Sequence, residues 1–282
     1  MGKLFSYLLV MLCITKAATA QHDFMQDDEV DDPYEHASYL MYGLNYLSNN
    51  VYLGRKDSLV IPYYNPYIGY HFDNGLYAKG MLSFTPAKNR HLDLTTIEAG
   101  YEHSFGEHIN GGINVDKLFY NKNSTNIKAN TSGYAGIYAQ YSNDIIEPQI
   151  AFDASFNKKS TDFVMNITLD HNFKFINNKL NIIPIVAMNM GTQHYYDEYF
   201  LARFVKNDKA VKLKKAVAGA SQFKALDYEL SIKSTYMAGK WLFTLIPTYS
   251  IPLNPAVITL PKKTLTETLT NSFYVELDIC HR

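Results

Sequence analysis

His194, with Asp197 and Glu198 close behind it, is the grouping in this chain whose residue types could do chemistry. An imidazole beside carboxylates can serve as a general base, and at the rim of a membrane protein such a base would suit hydrolysis of lipid or peptide. The competing reading is a polar cluster that merely meets water. A second grouping, His103-Ser104-Phe105-Gly106-Glu107-His108, is close to a zinc-protease motif. It carries one residue too many between the first histidine and the glutamate. It also straddles a tight-turn sequence, where a helix is needed to align the ligands. No Gly-x-Ser-x-Gly, nucleotide-binding or nucleic-acid-binding motif is present, and a formal charge of −1 leaves no basic footprint. No cofactor, no metal and no nucleic-acid partner are expected.

Charged residues elsewhere fall on a regular pattern that shows what must position them. Around Ile109 to Val115 the odd positions are apolar or small, while His108, Asn110, Asn114 and Asp116 are polar. Phe163, Met165, Ile167, Leu169, Phe173 and Phe175 likewise oppose Asn166, Thr168, Asp170, Asn172 and Lys174. Phe273, Val275, Leu277 and Ile279 oppose Ser272, Tyr274, Glu276 and Asp278. His171 keeps the parity of the apolar set. A period of two is the signature of strands with two unlike faces. Such runs recur near 38–47, 59–72, 76–86, 92–105, 108–119, 131–142, 145–157, 161–176, 179–193, 225–238, 241–253 and 269–280. That is about 12 strands, an even number as bacterial outer-membrane barrels require.

The connections alternate in length. Asp73-Asn74-Gly75, Gly106-Glu107, Ser142-Asn143-Asp144, Asn177-Asn178 and Gly239-Lys240 are tight-turn sequences at every second junction. The intervening junctions are mostly longer and polar: 49–58, 120–131, 194–224 and 254–268. The expected fold is all-β, an antiparallel transmembrane β-barrel with short periplasmic turns and long extracellular loops. A soluble sandwich would show the same periodicity with its faces exchanged. The barrel is preferred on strand length, loop alternation, 23 tyrosines and 16 phenylalanines, and the export signal described next. Pro62, Pro66, Pro148, Pro184 and Pro247 lie inside the expected strands and cut against a closed ladder. The chain also ends Ile279-Cys280-His281-Arg282, without the final aromatic residue that many bacterial barrels present to the assembly machinery.

Residues 1–20 read as a signal peptide: Lys3, an apolar run from Leu4 to Thr15, then Ala18-Thr19-Ala20 before Gln21. The apolar run is too short for a spanning helix. Its removal takes Cys13 and leaves Cys280 alone, so no internal disulfide is expected. Mean hydropathy is −0.19, which argues against a helical membrane protein. Residues 21–37 form an acidic tail containing Asp23, Asp27, Asp28, Glu29, Asp31, Asp32 and Glu35. It reads as a solvated periplasmic segment, with weak Ca²⁺ binding or a plug role as the competing readings. Residues 38–282 form the barrel.

On this register the lumen carries Lys79, Glu98, Glu102, Asp116, Glu147, Asp153, Asp170, Lys174, Asp227, Glu229, Lys233, Glu276 and Asp278. A hydrated channel with that acidic bias would favour cations. The alternative is a charge network that fills a closed barrel. An extracellular loop carries Arg203, Lys206, Lys209, Lys212, Lys214 and Lys215 against the single acid Asp208. Beside anionic lipopolysaccharide those cations would gain Coulomb energy.

The stretch Lys240-Trp241-Leu242-Phe243-Thr244-Leu245-Ile246-Pro247-Thr248-Tyr249, continuing through Ile251-Pro252-Leu253-Asn254-Pro255, resembles the C-terminal part of uncharacterised Bacteroidota outer-membrane barrel proteins. Thr266 to Asn271, Phe273-Tyr274 and the preceding Phe223 to Glu229 are similar as well. The resemblance covers about the last fifth of the chain and implies a location and a fold, with no activity attached. Three functions follow as expectations. The first is a passive channel or transporter for small solutes. The alternatives are a hydrolase at the extracellular rim, or a structural or adhesive barrel that binds lipopolysaccharide. Outer-membrane lipids, lipopolysaccharide and the barrel-assembly machinery are the expected partners, and oligomeric state stays open.

Overall fold

The computed structural model describes residues 37–56, 60–86, 91–124, 126–199, 217–260 and 263–282. The expected signal peptide and nearly all of the acidic tail lie outside the described residues, as do Arg203, Lys206, Lys209, Lys212, Lys214 and Lys215.

Twelve antiparallel strands form the wall: β1 (Tyr39–Leu47), β2 (Tyr63–His71), β3 (Leu76–Phe84), β4 (Leu92–Ser104), β5 (Ile109–Tyr120) and β6 (Thr131–Tyr141). They continue as β7 (Glu147–Asn157), β8 (Thr161–Asp170), β9 (Leu180–Gly191), β10 (Lys224–Ala238), β11 (Trp241–Pro252) and β12 (Ser272–His281). Neighbours in sequence pair throughout, and β1 pairs with β12, from Tyr42 opposite His281 to Leu47 opposite Glu276, which closes the barrel. Each expected strand is present with its ends moved by a few residues. The run expected over 161–176 stops at Asp170, and Phe173–Phe175 forms a separate short strand on β9.

Both described chain ends and the tight turns share one end of the barrel. At Gly75 the turn between β2 and β3 takes φ +86°, and a Cβ there would strike the carbonyl oxygen of Glu102. Only glycine fits both demands. The other end carries the longer connections, with one exception: β7 and β8 are joined there by residues 158–160 alone.

The prolines fit because each sits where no partner carbonyl awaits its missing N–H. Pro62 precedes β2. Pro148 lies beyond the last β6–β7 pair at Gln140 and Gln149, and Pro184 lies beyond the last β8–β9 pair at Asp170 and Ile185. Pro66 falls in the unpaired stretch between Tyr64–Phe84 and Tyr67–Met81. Pro247 falls in the gap between Ser231–Thr248 and Ser234–Leu245. The barrel thus tolerates proline by opening its ladder locally on one side.

Face assignment decides between barrel and sandwich. Val115 is 58% exposed and Phe163 57% exposed, whereas Asp227 and Asn181 are 0% exposed. Leu40, Ile68, Ile97, Ile137 and Phe273 share the outward belt. A wall that is apolar outside and polar inside is stable against hydrocarbon, and closure leaves no strand edge with unpaired backbone groups. The protein is a transmembrane β-barrel.

Three apolar clusters pin the interior among the described residues, one of them Leu47, Val51, Ile61, Tyr63 and Tyr274 beneath the first loop. Near the turn end Tyr39, Met41, Tyr67, Tyr77 and Cys280 pack inside β1, β2, β3 and β12. At the loop end Leu53, Ile127, Tyr195, Tyr196, Val217, Ala220 and Ala256 come from four different connections and pack on Val164 and Leu226 of the wall. Burying each large side chain contributes on the order of 1.5–3 kcal/mol. The loops therefore fold over the barrel mouth as a cap.

Candidate functional site

The cap is built around Arg55, which a tight turn sends inward. Gly54 adopts φ +73°, and a Cβ on it would lie 2.8 Å from the Cβ of Pro252 and 2.9 Å from that of Asp227. The Arg55 guanidinium donates to the carbonyls of Leu53, Leu226, Leu253 and Asn254 at 2.8–3.0 Å. It also lies 3.6 Å from the carboxylate of Glu267. Glu267 in turn accepts from the Tyr196 hydroxyl at 2.6 Å and the Ala256 N–H at 2.9 Å. One buried cation thereby ties three connections and the start of β10 together. Sequence reasoning missed Arg55, because carbonyl partners leave no trace in residue types.

Below the cap lies a cavity of about 120 Å³. Lys79, Glu98, Asp116 and Asp153 line its wall, and Tyr52, Asn126 and Lys128 line its roof. Lys128 is 3% exposed, with its ammonium 4.3 Å from the Tyr52 ring centroid and 4.9 Å from that of Tyr134. Burial pushes this loop lysine down to about 7, against the pull of Asp116 and Asp153.

The residues expected to line the lumen divide by burial, and all but Lys174 are buried or half-buried on the wall strands. On β10 and β12 the acids are sealed and bonded. Asp227 accepts from Ser250 at 3.1 Å, Glu229 from Tyr274 at 3.3 Å, Glu276 from Asn45 at 2.6 Å and Asp278 from Tyr67 at 3.1 Å. Asp170 is buried at the end of β8, and Lys233 is half-buried on β10. Lys79 and Glu98 pair at 3.8 Å, with Tyr77 donating to Glu98 at 3.0 Å. On β4 to β7, by contrast, Glu102, Asp116, Glu147 and Asp153 are only half-buried. Lys174 sits exposed on the short strand at the turn end. The half-buried acids and the bonded acids, on which the two readings weighed from sequence rest, therefore lie on opposite walls.

At the loop-end rim the structure departs from the expected grouping. His194 does not use Asp197 or Glu198. Asp197 accepts from the Val217 N–H at 2.7 Å. Glu198 holds the 158–160 turn through the Lys159 N–H at 3.1 Å and the Ser160 hydroxyl at 2.8 Å. His194 opens a short helix over 194–199, and that fold turns the two acids away from its ring. Its Nδ1 lies 2.9 Å from Asp162 and its Nε2 3.0 Å from Ser221. Asp162 and Ser221 were missed because they lie 32 and 27 residues away in sequence. Strand register held the signal for the acid, since Val164 opposite Gly191 places Asp162 across from residue 193. His103 stacks on Tyr101, while His108 bonds the Ser142 carbonyl at 3.2 Å. No group of three metal-ligating side chains occurs among the described residues. His171 keeps to the outward parity and packs edge-on against Phe173.

The class defined by wall, cap and lumen is a closed 12-strand membrane barrel. No family model and no curated protein matches the chain. Among solved structures, the KdgM porin is similar at 8% identity and TM-score 0.47, covering 87% of this chain and 99% of that one. LpxR from Salmonella typhimurium is similar at 7% identity and TM-score 0.47, covering 86% and 99%. An OmpF structure from Salmonella typhi in complex with daunomycin is similar at 8% identity and TM-score 0.35, covering 86% and 97%.

Proposed function

We propose that the protein is an outer-membrane channel for small cationic or neutral solutes, entered from the periplasmic turn end and gated at the extracellular end by the packed loops. The carrying observation is the cavity walled by Asp116 and Asp153, together with the half-buried Glu102 and Glu147 on the same run of strands. Acidic side chains left partly hydrated in a low-dielectric tube attract cations and repel anions. In this state Arg55 and the apolar cap hold the loop end shut. Export by a cleaved signal peptide and insertion by the barrel-assembly machinery belong to the same reading, as does kinship with the Bacteroidota barrels that the C-terminal stretch resembles. The lysine-rich segment 203–215 follows the rim helix in the chain and would meet anionic lipopolysaccharide.

The test is the reversal potential of the refolded mature protein in a planar bilayer under a KCl gradient. Openings with a potassium-selective potential are expected. An anion-selective potential, or a folded barrel that never opens, would refute the channel.

A further inference from the structure

Ser221, His194 and Asp162 stand in one hydrogen-bonded line at the loop-end rim. Asp162 is fully buried, and every partner it has is a donor. Its Oδ1 accepts from the Thr192 hydroxyl at 2.6 Å and the His194 N–H at 2.7 Å. Its Oδ2 accepts from the Asn157 amide at 2.7 Å and the Tyr195 N–H at 2.7 Å. Against such a fixed acceptor, His194 Nδ1 must carry the proton, which leaves the Nε2 lone pair facing the Ser221 hydroxyl. That is the arrangement in which a histidine deprotonates a serine while a carboxylate holds its tautomer.

The positions suit this chemistry. Ser221 is exposed, and the His194 side chain is 25% exposed, so a substrate can reach both. Ser221 sits on a turn closed by the Gln222 N–H on the Gly219 carbonyl at 2.9 Å. The Gln193 N–H on the Ala220 carbonyl at 2.8 Å locks that turn to the residue before His194. Phe163, next to Asp162 on the outward face of β8, and Phe223, two residues after Ser221, are 57% and 51% exposed. The hydroxyl thus stands where the apolar belt gives way to the polar rim. There, the ester bonds of a membrane lipid meet its acyl chains.

We propose that Ser221, His194 and Asp162 form a hydrolytic site that releases fatty acid from ester-linked lipids in the outer leaflet. Ser221 Oγ attacks the ester carbonyl as its proton passes to His194 Nε2. The ester C–O bond breaks, and the departing alcohol takes that proton. Water then gives a proton to Nε2 and attacks the acyl-serine. The fatty acid leaves, and the proton returns to Ser221 Oγ.

The experiment uses the refolded full mature chain in mixed micelles of a diacyl phosphatidylethanolamine, with released fatty acid measured. Ser221→Ala is expected to cut the rate by at least about a thousand-fold, with the folded barrel's gel mobility unchanged. Because Ser221 is exposed and makes no apolar contact in the cap clusters, that variant should fold. A fluorophosphonate adduct mapped to Ser221 of the wild type is the second expected result, and it needs no variant. Folded wild type that releases no fatty acid and takes no adduct would overturn the site, as would release that persists in Ser221→Ala. Neither result bears on conductance, so this site and the channel stand or fall separately.

Discussion

The two ends of the barrel solve the same closure problem in different ways. At the turn end, strands are joined by a few residues with special backbone angles, such as Gly75, and among the described residues one aromatic cluster packs on one side of the opening. At the loop end, the connections abandon the surface and build a second core inside the mouth, held by Arg55 and Glu267. The comparison teaches that the long loops here are structural parts of the lumen. The turn end leaves Glu102 and Glu147 half-buried, while Asp227 and Glu229 near the loop end are sealed. Access to the interior is therefore asymmetric.

Breaking the loop end should have the largest effect. Arg55→Ala leaves four carbonyls and Glu267 without their buried cation. Losing one partner of a buried pair costs roughly 3–5 kcal/mol. That loss should fall on the cap and spare the wall, so limited proteolysis should cut the loops while the barrel keeps its folded gel mobility. Gly54→Ala should loosen the same contact less. A left-handed backbone costs a residue with a Cβ roughly 1–2 kcal/mol, and the crowding against Pro252 adds to it.

The roof of the cavity sharpens the comparison through pH. Lys128 titrates near 7 when the cap is closed, against about 10.4 for a solvated lysine. Between those values the open cap binds more protons than the closed one, so closure strengthens as pH rises through that window and gains nothing below about 7. Hydrogen exchange of the 126–131 amides should slow accordingly from pH 7 to 10, after correction for the intrinsic rate. Lys128→Met should flatten that dependence.

The smallest effect belongs to the turn end. Glu102→Gln and Glu147→Gln remove half-buried charges, so stability should change by less than about 0.5 kcal/mol. In the proposed channel potassium selectivity should nevertheless fall, because those charges would face its water path. A stability loss as large as that of Arg55→Ala would mean the two ends are alike after all.

Most of the wall was legible in the sequence, because a period of two survives in every strand and the turn residues mark every second junction. The lumen set was legible for the same reason: parity alone puts Glu98, Asp153 and Glu276 on one face. What parity cannot tell is which of them find partners, since Tyr274 reaches Glu229 and Asn45 reaches Glu276 only across strands whose stagger the turns set. The cap was illegible because Arg55 binds carbonyls, which every residue has. The rim grouping was half legible. His194 stood out by type, but its carboxylate lies on the neighbouring strand and was hidden behind two nearer acids.

The central claim is that a hydrated acidic lumen lies behind a cap pinned by one arginine. Its most direct test is single-channel recording of the wild type beside Arg55→Ala under identical salt. The account predicts sparse potassium-selective openings in the wild type, and more frequent, larger openings of the same selectivity in Arg55→Ala. Two folded barrels that are equally silent, or equally and widely open, would contradict it.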